Sequence, residues 1–364
     1  MPSTPPIHLV VLLGGRSAEH DISRVSAFNV VKAADRNRYH LTIVGIARDG
    51  SWHLCSDNTA DPAASALVID GDEVNPFEIL RAPDTVVFPV LHGPNGEDGT
   101  IQGLLEVVGV PYVGSGVLGS ALAMDKAMAK TVLGAHGIAQ PAWRALDRHR
   151  FDTGDGDQLL DEIIAALGSE LFVKPANMGS SIGVSKASGR AELRRAVELA
   201  LNYDDIVVVE EAVRAREIEI AVLGNEEPAL GSTGEILPAA EFYDYEDKYR
   251  DGAAGVVIPA PLRPESEELL RRTALAAYRA LRAEGLARVD MFVDEDHPDP
   301  ERRVLVNEIN TLPGFTRISV YPQSWEHAGI PYPQLIDRLV DLARERHQRV
   351  SAHHLDVISG RDRP

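Results

Sequence analysis

At 364 residues the chain is long enough for two or three modest domains, and its 44% hydrophobic and 25% charged content is that of a globular protein, not a disordered or fibrous one. Its 55 acidic residues against 36 basic ones give a formal charge of −19, which repels a polyanion and argues against nucleic acid as a partner. The lone Cys55 excludes an internal disulfide and a cysteine-rich zinc site.

The first third alternates strand-like and helix-like patterns, as parallel α/β sheets do. Residues 7–13 read as a buried strand; the run is too short, and lacks the basic segment in front, to read as a signal peptide. No apolar run approaches the roughly 20 residues that span a bilayer, so a cytoplasmic chain with no membrane partner is expected. Residues 19–34 read as a helix entered after a glycine turn, 41–47 and 85–90 as strands, and 100–108 as a helix. Residues 49–84 are too aperiodic to assign.

From about residue 120 the pattern changes to α+β. A helix is expected over 124–133, then a strand at 171–174, a Gly/Ser loop, a strand at 183–186, a helix at 191–201 and strands at 206–211 and 217–223. Residues 231–255 are polar, aromatic and unperiodic, as a functional loop or lid would be. A helix over 265–284 places Leu270, Ala274, Ala277, Tyr278 and Leu281 on one face. Strands at 287–293 and 303–308 follow, joined by an acidic turn at 296–300, and the polar end beyond about 347 is expected to fray.

Two glycine patterns admit competing readings. Gly114, Gly116 and Gly119 fit the dinucleotide fingerprint, yet they come late in their domain and no acid stands near the ribose-binding offset. Tight helix entry is the preferred reading. Gly179, Ser181 and Gly183 fit a nucleophile elbow, but a strand is expected next where that motif needs a helix. A flap whose N–H groups wrap a phosphate is the better reading.

The most informative segment is 307–314. Glu308 and Asn310 lie two apart, so both project to one strand face, and Asp290 lies on the preceding strand. If those strands pair, three oxygen-bearing side chains converge, which suits magnesium and not zinc. Lys126, Lys174 and Lys248 form a matching cationic set. Lys174 ends an apolar strand before Pro175, an odd place for a merely solubilising lysine, and Glu210 and Glu211 end a β-branched strand.

These residues carry a resemblance. The segments 13–19, His92-Gly93 with 96–100, 124–126, Lys174-Pro175 with 179–181, 242–249 and 307–316 occur in the order found in the D-alanine–D-alanine ligase family of the ATP-grasp superfamily, and the chain resembles it over nearly its whole length. The resemblance implies a mixed α/β and α+β ATP-grasp fold of three domains. These would be an N-terminal Rossmann-like domain at 1–118, a central subdomain at 119–214 and a C-terminal subdomain with the lid at 215–348, with a tail at 349–364. It implies ATP and a pair of magnesium or manganese ions as cofactors, D-alanine as substrate, and a homodimer. Asp290, Glu308 and Asn310 would hold the metals. Lys126, Lys174, Ser181 and Lys248 would meet the phosphates, and Glu210, Glu211, Val213 and Glu217 the nucleotide edge, with Phe242 and Phe292 lining the adenine pocket. Glu19, with His92 nearby, would bind the first D-alanine, and Ser319 and Val320 the second. Arg288 and the Gly314 N–H would stabilise an oxyanion, and Glu19, Ser180 and Tyr249 would close the lid. Some members carry Lys-Trp where Glu211-Ala212 stands. The intact 245–249 segment favours an amine acceptor; a D-lactate-joining relative is the nearest rival.

Overall fold

A computed structural model of the chain describes residues 6–237 and 255–352. The N-terminal sheet runs β1 (Ile7–Gly14), β2 (Tyr39–Ile46), β3 (Trp52–Leu54) and β4 (Thr85–Pro89), ordered β3-β2-β1-β4. β1 lies parallel to both β2 and β4, and β3 is an antiparallel edge. Because helices cover both faces of β1, its interior is apolar without alternation, and Leu9 to Leu13 are wholly buried. The unassigned 49–84 stretch holds β3 and the short helix Pro76–Leu80, capped by Asn75.

The second sheet comprises β5 (Trp143–Asp147), β6 (Glu170–Pro175), β7 (Ser185–Ser188) and β8 (Ile206–Glu211), antiparallel in the order β5-β8-β6-β7. One face, with Leu171, Val173, Val207 and Val209, packs on the helices Gly156–Leu167 and Gly189–Ala200. The third sheet comprises β9 (Arg216–Gly224), β10 (Ala229–Leu237), β11 (Gly255–Val257), β12 (Gly285–Val293) and β13 (Val304–Asn310), antiparallel in the order β11-β10-β9-β12-β13. Ile218, Ile220, Val289, Met291 and Val306 turn one face toward the amphipathic helix Pro264–Ala280. Among the described residues, no helix is long and apolar enough to cross a membrane.

Several expectations need correction. The helix placed at 124–133 is two helices, Val117–Met124 and Lys126–Ala135. Asp125 is extended between them (φ −79, ψ 102), ending the first and capping the second through Met128 N. Residues 231–237, read as loop, form all but the first two residues of β10, whose Gly231 and Gly234 let the strand lie close against Ser324 and Val320. The rest of that segment, 238–254, lies outside the described residues. The strand expected at 183–186 begins at Ser185, because Ser180, Ser181 and Gly183 are left-handed and hold the chain out of the sheet. The helix expected to end at 284 stops at Ala280, with Arg282 and Gly285 left-handed after it. The last helix, Tyr332–Ala352, does not fray at 347: Arg346 is buried over the Tyr112 ring (4.2 Å) and bonded to Glu106 (3.0 Å).

The glycine run at 114–119 serves close packing. Gly116 caps the helix Val117–Met124, and a Cβ on Gly119 would lie 2.5 Å from the Arg282 carbonyl oxygen. Gly14 ends β1 at φ +88, where a Cβ would stand 2.4 Å from the Ile46 carbonyl oxygen. Gly14→Ala is therefore expected to cost at least about 1–2 kcal/mol, the left-handed penalty plus the backbone clash. A lowered urea midpoint at constant m-value checks this, and an unchanged midpoint contradicts it.

Candidate active site

Antiparallel pairing fixes which side chains share a face. Asp290 lies opposite Glu308 on β13 and Glu219 on β9, Arg288 lies opposite Asn310, and Phe292 lies opposite Glu217. Directly opposed residues project to the same side, so all seven occupy one face of the third sheet. Between Asp290 and Met291 the register shifts, leaving Asn307 as the extra residue of a β-bulge. Its side chain crosses to the second sheet, where its Oδ1 accepts from Lys174 Nζ at 3.1 Å.

On this face Arg288 is clamped. Its Nε and Nη2 donate to the two oxygens of Asp290 at 2.7 and 2.6 Å, and Glu219 Oε2 stands 3.0 Å from Nε. Burial works against its charge, but Asp290 and Glu219 outweigh it and hold the guanidinium well above its usual range. Glu308 Oε2 is 3.8 Å from Lys126 Nζ, and Asn310 Oδ1 accepts from Leu312 N at 2.9 Å. Among the described residues, no cluster of three or more His, Cys, Asp or Glu is arranged as a metal cage. The donor set is two carboxylates and an amide, all oxygen.

The facing side of the second sheet carries Lys174 and Glu210. Lys174 Nζ donates to Glu210 Oε2 at 3.0 Å, and Lys130 Nζ lies 3.1 Å from Glu210 Oε1. Burial alone would raise Glu210 and lower both lysines. The two ammonium groups outweigh burial and keep the Glu210 carboxyl below its usual range. Lys174 is correspondingly raised, mainly by Glu210 against burial. Lys130 stays lowered, because burial exceeds the attraction of Glu210 and Lys174 adds repulsion. Lys126 donates to the Met178 carbonyl at 2.6 Å, next to the Gly179–Gly183 flap.

Glu19 caps the first helix and is buried. Ser17 and Ser23 tie its turn to the ends of β1 and β4 through His92 O, Val90 O and Gly14 N. Ser180 Oγ donates to Glu19 Oε1, tying the flap to the N-terminal domain. His92 is wholly enclosed. Its Nδ1 donates to the Leu312 carbonyl at 3.1 Å and Nε2 bonds Ser26 Oγ at 3.0 Å, so it bridges β4 to the 310–319 loop. That loop is pinned by Phe315, packed on Phe88, Tyr321 and Tyr332. Beyond it Ser319 caps the helix Val320–His327, with its Oγ 2.8 Å from Thr316 Oγ1 and 3.1 Å from Thr316 N, and Gly314 lies close against Ser319.

A cleft of about 840 Å³ joins these groups. Glu19, His92, Lys126, Ser180, Arg288, Glu308, Asn310, Gly314, Ser319 and Val320 all line it. The structure thus brings together most of the residues singled out from sequence. Asp290 reaches the cleft's chemistry through Arg288. Lys174 and Glu210 adjoin it from the second sheet, and Phe292 and Glu217 share the third-sheet face. Ser181 sits in the left-handed flap and Val213 half-buried between β8 and β9. The Glu211 carboxylate is drawn elsewhere, accepting from Ala142 N and Arg302 at 2.7 Å each. Phe242, Lys248 and Tyr249 lie outside the described residues. Sequence reasoning missed Lys130, Glu219, Glu97 and the bulged Asn307. For Lys130 a signal existed, since it stands four residues after Lys126 beside the buried Ala129 and Leu133.

Two antiparallel sheets with lysines and acids on their facing sides, set against a mainly parallel N-terminal sheet, define an ATP-grasp fold. Residues 8–115 match the family profile described as D-ala D-ala ligase N-terminus, and residues 132–341 the one described as D-ala D-ala ligase C-terminus. The chain is 45% identical to the D-alanine--D-alanine ligase of Heliobacterium modesticaldum, covering 93% of this chain and 95% of that protein. Among solved structures it resembles the D-alanine-D-alanine ligase from Coxiella burnetii (TM-score 0.78, 35% identity, 95% and 98% coverage). It also resembles the VanG D-Ala:D-Ser ligase from Enterococcus faecalis (TM-score 0.76, 35% identity, 93% and 99% coverage). The chain belongs to the D-alanine–D-alanine ligase family.

His92 carries a testable consequence. Burial opposes its proton, but Glu97, 3.6 Å from Nδ1, and then Glu19 outweigh burial and raise its pKa. A raised histidine contributes stability that is complete below its unfolded value and lost as pH rises through its folded value. Glu97→Gln should therefore lower the His92 pKa and remove that alkaline loss of stability. Imidazole chemical shifts against pH read this directly, and an unmoved midpoint contradicts it.

Proposed function

We propose that this chain joins two D-alanines into D-alanyl-D-alanine, converting ATP to ADP and phosphate, for cell-wall precursor synthesis. The observation that carries the reading is the meeting of oxygen-bearing side chains and cations at one cleft: the Glu308 carboxylate beside Lys126, and the Asn307 amide oxygen beside Lys174. A ligand with both phosphates and divalent metal would satisfy both sets at once.

The first D-alanine carboxylate attacks the γ-phosphorus of ATP; ADP leaves and an acyl phosphate remains. Lys126, Lys174, Lys248 and the flap N–H groups at Ser181 offset the phosphate charge, while positioning lowers the barrier. Asp290, Glu308 and Asn310 would hold magnesium or manganese, which would supply further charge neutralisation there. Glu210, Glu211, Val213 and Glu217 form the nucleotide edge, with Phe242 and Phe292 against adenine. Given the Arg302 contact, we assign Glu211 to that edge through its backbone. Glu19, near His92, holds the first ammonium.

In the second step the amine of the second D-alanine, held by Ser319 and Val320 at a helix N-terminus, attacks the acyl carbon. The developing oxyanion meets Arg288 and the Gly314 N–H before phosphate leaves. Asp290 would give up Arg288 to hold a metal, and Glu219, 3.0 Å from Nε, would keep the guanidinium aimed. Tyr249, with Glu19 and Ser180, closes the lid over an amine acceptor. We assign the domains as 1–118, 119–214 and 215–352, the last extended past 348 because the helix Tyr332–Ala352 runs on and Arg349 pairs with Glu284; the homodimer and cytoplasmic location belong to the same reading.

ADP formation should require D-alanine and magnesium together, with D-alanine exceeding D-serine and D-lactate as acceptor. Equal turnover without D-alanine, or preference for D-lactate, overturns the assignment. Arg288→Ala should lower turnover about 10²–10³-fold, as losing an oxyanion donor does. Near-parent turnover removes Arg288 from the mechanism.

A further inference from the structure

One cation beside the cleft is used by none of these steps. Lys130 lies one turn beyond Lys126 on the helix Lys126–Ala135, with its side chain only 2% exposed. Its Nζ is 3.1 Å from Glu210 Oε1, and that carboxylate is also 2% exposed. The other oxygen of Glu210 accepts from Lys174. One buried carboxylate thus stands between two ammonium groups. The two contacts differ in kind: Lys174 is well aligned on Glu210 and also donates to Asn307, whereas Lys130 Nζ, 3.1 Å from Glu210 Oε1, is misaligned with it.

An ammonium buried for structure alone is expected to be fully hydrogen-bonded, since an unsatisfied buried charge is costly. The misaligned contact therefore calls for another explanation, and the proposed reaction supplies one. Lys174 Nζ is engaged by Glu210 and Asn307, and turning it toward a phosphate weakens its hold on Glu210. Without a second cation that move strands a buried carboxylate, which would then resist the move or take up a proton. We propose that Lys130 is a positioning residue: it is the standing counter-charge of Glu210, and it lets Lys174 pass from that carboxylate to the nucleotide phosphates. When Lys174 departs, Lys130 turns its idle donor into the vacated role. This rests on the ATP reading given above.

The effect should appear in nucleotide binding and not in D-alanine binding. Lys130→Met is expected to raise the KM for ATP, and the Kd for ADP with magnesium, by about tenfold or more. The KM for D-alanine should stay within about twofold, since Lys130 is not one of the residues that line the cleft with the 310–319 loop. The charged groups acting on the Lys130–Glu210–Lys174 set are Glu308 on β13 and Glu217 on β9, which are common to parent and variant. In the variant, ADP affinity should fall as pH rises from about 6.5 to 8, because Glu210 then needs a proton to let Lys174 go. The parent should show no such slope. In a Glu210→Gln background, Lys130→Met should cost little, because no carboxylate is left to strand.

Equal losses for ATP and D-alanine, an ADP Kd unchanged from the parent, or the same penalty with Gln at 210 overturns the proposal. If Lys130→Met does not fold, calorimetry on the parent decides. ADP binding in buffers of different ionisation enthalpy should take up no proton, and uptake of about one overturns the proposal. A parent that binds no nucleotide overturns the ATP reading itself, an outcome distinct from a parent that binds and a variant that binds equally well.

Discussion

The antiparallel pairing of β12 with β13 sets the spacing of the charged groups on which the cleft depends. Asp290 against Glu308, and Arg288 against Asn310, put two acids, a guanidinium and an amide on one face. A shift of one residue would turn each to the apolar face packed on the helix Pro264–Ala280. The register is held by that burial, since Val289, Met291, Val306 and Ile309 have nowhere else to go. The bulge then aims the single extra residue, Asn307, at Lys174 on the other sheet. Apolar packing on one side of the sheet thereby fixes polar chemistry on the other.

The charges so gathered compensate one another. Arg288 rests on Asp290 and Glu219, Lys174 on Glu210 and Asn307, and Lys126 beside Glu308. Buried ion pairs seldom gain much stability over apolar substitutes, because desolvation offsets their attraction. Their use here lies in exchange. On the proposed function, each cation sits on a partner that a metal or a phosphate would replace, with a second partner left to hold the group in place. A cleft built this way keeps its groups ordered before ligands arrive, which is how enzymes avoid reorganisation at the moment of reaction.

Much of this was legible in the sequence. The two-residue spacing of Glu308 and Asn310, after an apolar strand, fixed a shared face, and Lys174 at the end of a buried strand announced a non-solubilising role. The strands of the N-terminal sheet were legible because burial on both faces leaves unbroken apolar runs. What escaped depends on contacts distant in the chain. The bulge at Asn307 exists only relative to β12. Glu219 reads as one more polar position in an alternating strand until Arg288 lies beside it. Lys130 resembles any helical lysine until Glu210, eighty residues on, encloses it. The break at Asp125 was missed because a residue that both ends one helix and caps the next interrupts no apolar periodicity. Likewise, the polar turn beyond residue 347 stays helical because Arg346 and Arg349 find buried or paired acids, Glu106 and Glu284, elsewhere in the fold.

On the proposed function, the third-sheet face gathers divalent metal around a nucleotide. Manganese binding followed by paramagnetic resonance tests it most directly. With a non-hydrolysable ATP analogue present, the chain should hold about two manganese ions, and Glu308→Gln should lose at least one of them while still folding. Nucleotide bound with a manganese count that Glu308→Gln leaves untouched would contradict the account.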